Sequence, residues 1–187
     1  AQSLIRDAEI EDTLRVYTNP LLEAGGLRPD DVHLYIVNED TVNAFVARGQ
    51  NIFVNTGLIM RAETPNEIIG VLAHETGHIV GGHLSRSREA QNTAMGPMLI
   101  SIGLGVLAIA AGAPDAGAAL IAGSQAFGMA SFVQFTQAQE SAADQFGMET
   151  LEATGQSGRG LISFFDSQIR PYEFMARRAP PWMLTHP

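Results

Sequence analysis

Apolar positions at Ile10, Leu14 and Tyr17 recur at helical spacing and are followed by Pro20, Leu21, Leu22 and a Gly25-Gly26 stop. This predicts two short helices within residues 4–26. Val32 to Val37 is rich in β-branched and aromatic residues, and Val42 to Ala47 and Asn51 to Asn55 read as two further strands joined by an Arg48-Gly49-Gln50 turn. A small antiparallel sheet is the expected result. Thr64-Pro65-Asn66-Glu67 is a strong helix start, with Thr as N-cap, Pro at the first helical position and Glu placed to close a capping box. The helix continues through Ile68, Ile69, Val71, Leu72 and Ile79 to Gly81-Gly82. Phe132 to Ala153 reads as a second long helix and Gly160 to Ile169 as a further one, before Pro171, Pro180 and Pro181 break up the tail. With no internal repeat and no linker, residues 1–187 read as one domain.

The charges are unevenly spread. Between Glu89 and Glu140 only Asp115 is charged. Met98 to Ala113 and Ala116 to Val133 are charge-free runs, against the roughly 20 apolar residues of a membrane-spanning helix. The second run is diluted by Ser124, Gln125 and several Gly, and neither has basic flanks that would mark a cytoplasmic side. At 187 residues the chain is long enough to bury a core without disulfides. All 11 basic residues are Arg, and against 20 acidic ones they leave a net charge of -9, which argues against a nucleic-acid partner. The absence of cysteine excludes a thiolate zinc site and a cysteine nucleophile. The opening Ala1-Gln2-Ser3, followed by an acidic segment, reads as an exported chain whose signal peptide has been removed.

Within the capped helix lies His74-Glu75-Thr76-Gly77-His78. Two histidines four apart differ by about 40° around a helix, so both imidazoles face one point and can bind one metal. Glu75 sits at the edge of that face, where a carboxylate can take a proton from an attacking water and pass it to a leaving amine. This is the chemistry of a zinc protease, with one zinc per chain and an open fourth position. His83 is one residue short of the metzincin spacing, with Leu84 where that histidine would stand. On a continuous helix His83 points away from His74, so it reads as structural or as a support for a ligand. Glu140 in Glu140-Ser141-Ala142-Ala143-Asp144 is the better third ligand, 62 residues after His78. Asp144, four residues on, shares its face and can accept the outer N–H of a liganding histidine. Ala142 and Ala143 would let the two helices approach closely.

These residues resemble the gluzincin zinc metallopeptidases, a family that includes the CAAX prenyl protease, the heat-shock protease HtpX and the periplasmic protease and chaperone BepA. The resemblance rests on His74-Glu75-x-x-His78, Glu140-x-x-Ala143-Asp144, Asn43-Ala44-Phe45 with Ile52-x-Val54-x-Thr56-Gly57-Leu58, and Thr185-His186-Pro187. It implies an α+β, mainly helical, zincin-like domain with two zinc-bearing helices. It further implies a substrate strand added along Asn43, Ala44 and Phe45, which favours unfolded or misfolded polypeptides. His186 is implied to approach the zinc from the opposite wall, as an oxyanion stabiliser or as a plug. Arg48-Gly49-Gln50 departs from the family's Pro-Gly-Gly. Soluble exported members carry helical tetratricopeptide repeats beyond Thr-His-Pro, so the chain reads as a protease domain without that module.

The expected function is a periplasmic zinc metalloendopeptidase acting on misfolded or unassembled exported, outer-membrane proteins. The alternatives are a periplasmic chaperone or binding module with an autoinhibited zinc site, and a membrane-embedded protease. Residues 94–133 are read as a helical hairpin inserted in the domain and packed on the protease body, its apolar face offered to a membrane, to nascent outer-membrane protein or to assembly machinery.

Overall fold

In a computed structural model that describes residues 3–47 and 49–169, the chain opens with strand β1 (Leu4–Ile5) and helix α1 (Ala8–Ala24). Asp7 caps α1 by accepting from the backbone N–H groups of Glu9 and Ile10. The helix continues through Pro20 where two shorter helices were expected. Leu14 and Thr18 before the proline and Leu21 and Leu22 after it are all buried on one face. That shared burial outweighs the lost hydrogen bond.

Three more strands follow: β2 (His33–Val37), β3 (Ala44–Ala47) and β4 (Asn51–Asn55). The sheet order is β1-β2-β4-β3, with antiparallel β1/β2 and β3/β4 pairs but a parallel β2/β4 pair. The sheet is therefore mixed, not wholly antiparallel. Residues 38–43 carry the chain across the sheet end, so the β3–β4 hairpin joins β2 through β4 and leaves β3 on an edge. The register pairs Leu34 with Ile52 and Ile36 with Val54 on the core face. Tyr35, Phe53 and Phe45 stack across the other face at centroid spacings of 5.2 and 5.1 Å. The crossing loop is tied to the end of β4. Asn55 Nδ2 donates to Thr41 Oγ1 (2.9 Å), and Thr56 Oγ1 donates to the Glu39 carbonyl (3.0 Å).

The helical part comprises α2 (Thr56–Arg61), α3 (Pro65–Val80), α4 (His83–Ala110), α5 (Pro114–Ala153) and α6 (Arg159–Phe164), the last running into a π-turn at Phe165–Ile169. Thr64 Oγ1 accepts from the Glu67 N–H as expected of an N-cap, but Glu67 reaches back to the N–H of Glu63 (2.7 Å), one residue before the cap. Its other carboxylate oxygen accepts from Ser163 Oγ (2.8 Å), tying the start of α3 to α6. Helix α3 is the centre of the domain and touches α1, β3, α5 and α6. Its residues Ile69 to Gly77 are all buried.

Helices α4 and α5 form the hairpin expected from the charge gap, turning at residues 111–113. Both arms are longer than expected. α4 begins directly after α3, and α5 runs without a break from the hairpin turn through Glu140. The hairpin is not packed on the body, for its large side chains, Leu99, Leu107 and Phe127 among them, are exposed.

Candidate metal centre

The centre is built where α3 and α5 come unusually close. A Cβ on Gly77 would stand 2.9 Å from the Ala143 carbonyl oxygen, and one on Gly147 would stand 3.2 Å from the His74 backbone nitrogen. Ala143, buried between the helices, allows the same approach. The result sets Glu140 against both imidazoles. His74 Nε2 and His78 Nε2 are 3.0 Å apart, and Glu140 Oε2 lies 3.2 Å from the first and 3.5 Å from the second. Donors bound tetrahedrally at 2.0–2.1 Å stand about 3.3 Å from one another, and the three observed edges bracket that value. His74, His78 and Glu140 together could hold a metal ion.

Each imidazole is held from behind. His74 Nδ1 is 2.7 Å from Asp144 Oδ1, while His78 Nδ1 is 2.9 Å from His83 Nδ1. His83 reaches that position because the helix does not continue. Gly82 takes a left-handed conformation (φ +61°), α4 restarts at His83, and the ring folds back over Gly81, whose Cβ would strike it. Gln139 Nε2 donates to the His83 carbonyl (3.1 Å), so α5 braces this residue as well.

The metal-free electrostatics follow from this crowding. Burial disfavours a charged His74, yet hydrogen bonds to Asp144 and Glu140 outweigh it and lift its pKa to about 10. Burial opposes ionisation of Glu140, but His74 and His78 hold its carboxyl well below the usual range. Glu75 is pushed up to about 7 by burial, against the pull of His74, His78 and the Val46 backbone N–H that bonds to it. Burial, reinforced by His78 and Arg86, lowers His83 to about 4 and keeps it neutral at physiological pH, the form that can accept a hydrogen bond at Nδ1.

The sequence as a whole agrees with the site. The model of peptidase family M48 matches residues 6–187. The chain belongs to peptidase family M48. The mainly helical α+β architecture is that of a zincin-like M48 domain. Among curated relatives, the M48 chain is 33% identical over 153 residues to a putative beta-barrel assembly-enhancing protease of Vibrio cholerae, covering 82% of this chain and 31% of the relative. It is 28% identical over 184 residues to the beta-barrel assembly-enhancing protease of Yersinia pestis, covering 98% of this chain and 37% of that protein. It is also 28% identical over 142 residues to the metalloprotease LoiP of Escherichia coli, covering 74% of this chain and 51% of the relative. The chain thus spans about a third of the length of the first two.

Of the residues singled out from the M48 sequence, His74, His78 and Glu140 converge, Glu75 lies beside them, and Asp144 is on His74. Asn43, Ala44 and Phe45 line the same cleft with Val46. Their roles differ along the strand. The Asn55 N–H donates to the Asn43 carbonyl (3.0 Å), and the alternation of an antiparallel ladder then turns the main-chain groups of Asn43 and Phe45 toward β4 and those of Ala44 and Val46 outward. His186, with the rest of Thr185-His186-Pro187, lies outside the described residues. Sequence reasoning allowed His83 a supporting role without placing it on His78, and it missed the outward turn of Val46 and the glycines that let α3 and α5 meet. It also missed Phe165, whose ring packs edge-on against His74 at 5.7 Å. For His83 the signal was present, since Gly81-Gly82 marks the helix stop just before it.

Proposed function

We propose that the chain is a zinc endopeptidase that cleaves extended segments of unfolded or misfolded exported proteins in the periplasm, unassembled outer-membrane barrel proteins among them. The observation that carries this reading is the convergence of His74, His78 and Glu140 beside buried Glu75, under an edge strand whose outward groups can bind a peptide main chain. Two imidazoles and a carboxylate, without thiolates, form a donor set suited to zinc with an open position. Zinc bound there would supply Lewis acidity and an acidified water.

The protein's own groups do the rest. The main-chain groups of Ala44 and the carbonyl of Val46 align a substrate as an added strand of the sheet, which admits an extended chain and rejects a folded one. Glu75, within reach of the cleft and of the Val46 N–H, takes the proton of the attacking water and returns it to the leaving nitrogen. Asp144 and His83 fix the two imidazoles so that their Nε2 atoms stay aimed at one point. His186 is assigned, on the family resemblance, to the opposite wall, as the group that stabilises the oxyanion or closes the cleft at rest. The link to barrel proteins is supported by the names of the relatives from Vibrio cholerae and Yersinia pestis, which call them beta-barrel assembly-enhancing proteases.

The test is cleavage of a urea-unfolded outer-membrane barrel protein by the wild type and by Glu75→Gln. Glu75→Gln should keep about one zinc per chain and lose cleavage by about 100-fold or more. Equal cleavage by both proteins would contradict the reading. Binding without any wild-type turnover would favour the chaperone alternative.

A further inference from the structure

The α4–α5 hairpin is built inside out for a water-soluble protein. Its seam sets small residues, buried Gly105 and Gly117 and half-buried Ser101, Ser124 and Gly128, among the half-buried Ile102 and Ile121. The backbones touch there: a Cβ on Gly105 would stand 2.8 Å from the Gly117 carbonyl oxygen. Most of the large apolar side chains point the other way. Leu99, Ile100, Leu104, Leu107 and Phe127 are 53–76% exposed. A hairpin folded for water puts large apolar residues in the seam and polar ones outside. Small residues in the seam and large apolar ones outside are the arrangement favoured when the surroundings are hydrocarbon.

The dimensions and charges identify that hydrocarbon. At about 1.5 Å per residue the arms Met95–Ala110 and Ala116–Val133 are about 24 and 27 Å long, close to the roughly 30 Å of a bilayer core. The sole charge between the arms, Asp115, stands at their turn, where it can reach headgroups and avoid the bilayer interior. Arg86, Arg88 and Glu89 lie about two turns before Met95, at the level of the near headgroups, where charged groups stay in water. A folded protein partner would cover one side of this rod, whereas lipid covers every side.

We infer that the hairpin inserts into a lipid bilayer and holds the cleft just above the membrane surface. Phe132 and Glu140 both line the cleft, and the seven residue steps from Val133 to Glu140 span about 10 Å. If the protease reading above is right, the substrates are polypeptides lying on or emerging from that surface.

The absence of cysteine makes the test direct. The full chain carrying single Leu107→Cys, Phe127→Cys or Met60→Cys changes is labelled with an environment-sensitive fluorophore and mixed with vesicles of phosphatidylethanolamine and phosphatidylglycerol. Labels at 107 and 127 should shift to the blue and be quenched by lipids brominated on the acyl chain. The label at 60, on the exposed side of the body, should do neither. A Leu104→Glu, Leu107→Glu double variant should float with vesicles at least about tenfold less, with unchanged circular dichroism and zinc content. Labels that ignore vesicles, that respond only to unfolded barrel protein, or that are buried by self-association without lipid would each overturn the proposal. Cleavage of a soluble peptide is measured separately, so a chain that binds vesicles and takes up zinc but cleaves nothing upholds the insertion and refutes the protease reading.

Discussion

Replacing Gly77 by Ala tests whether close approach of α3 and α5 creates the metal site. The new Cβ would lie 2.9 Å from the Ala143 carbonyl oxygen and 3.0 Å from its Cα, whereas ordinary contact begins near 3.4 Å. Helix α5 must therefore retreat by about 0.5 Å, and Glu140, one turn before Ala143, moves with it. That displacement is comparable with the whole spread of the donor edges, 3.0 to 3.5 Å, so the third ligand is pulled out of register with the imidazoles. Overpacking of this kind costs about 1–3 kcal/mol, while alanine gains about 1 kcal/mol over glycine in helix propensity. Gly103→Ala supplies the control, since a Cβ there meets nothing within 4 Å and should show the propensity gain alone. The assay is competition for zinc with a chromophoric chelator, together with urea unfolding of the metal-free proteins. Gly77→Ala should bind zinc at least about tenfold more weakly and be less stable than Gly103→Ala by about 1–3 kcal/mol. Wild-type zinc affinity in a normally folded Gly77→Ala protein would refute the reasoning.

Further outcomes follow from other contacts. Asp144→Ala should weaken zinc binding about 10- to 100-fold while leaving the helices intact by circular dichroism, because His74 loses the acceptor of its outer N–H. His83→Phe, which keeps a ring in the same place but removes the acceptor, should weaken zinc binding about tenfold, whereas His83→Gln should recover part of it through its amide oxygen. The second pair is compared by chelator competition at pH 7, where wild-type His83 is neutral because burial holds its pKa at about 4. Thr64→Ala should lower stability by about 1 kcal/mol in urea unfolding, with zinc affinity unchanged, since it removes a cap far from the ligands.

The strongest local signals survived folding. The Thr64 cap and the four-residue spacing of His74 and His78 depend only on neighbours in sequence, so the sequence is enough to read them. Glu140 and Asp144 were legible because a shared helical face limits what two acidic residues can do together. What escaped was decided between distant parts of the chain. The parallel β2–β4 pairing depends on where the loop at 38–43 lands, and no periodicity encodes that. Pro20 reads locally as a break, but burial of Leu21 and Leu22 keeps α1 whole. The close approach at Gly77 and Gly147 exists only once α5 lies on α3. His83 was placed on an unbroken helix despite the glycine pair before it, and the left-handed Gly82 is the physical reason its ring meets His78.

The most direct test of the account is the anomalous scattering of crystals of the zinc-loaded full chain at the zinc absorption edge. One zinc peak per chain is expected, within bonding distance of His74 Nε2, His78 Nε2 and a Glu140 carboxylate oxygen, with Asp144 and His83 behind the two imidazoles. A peak bound by other side chains, or a Glu140 turned away from the metal, would contradict it.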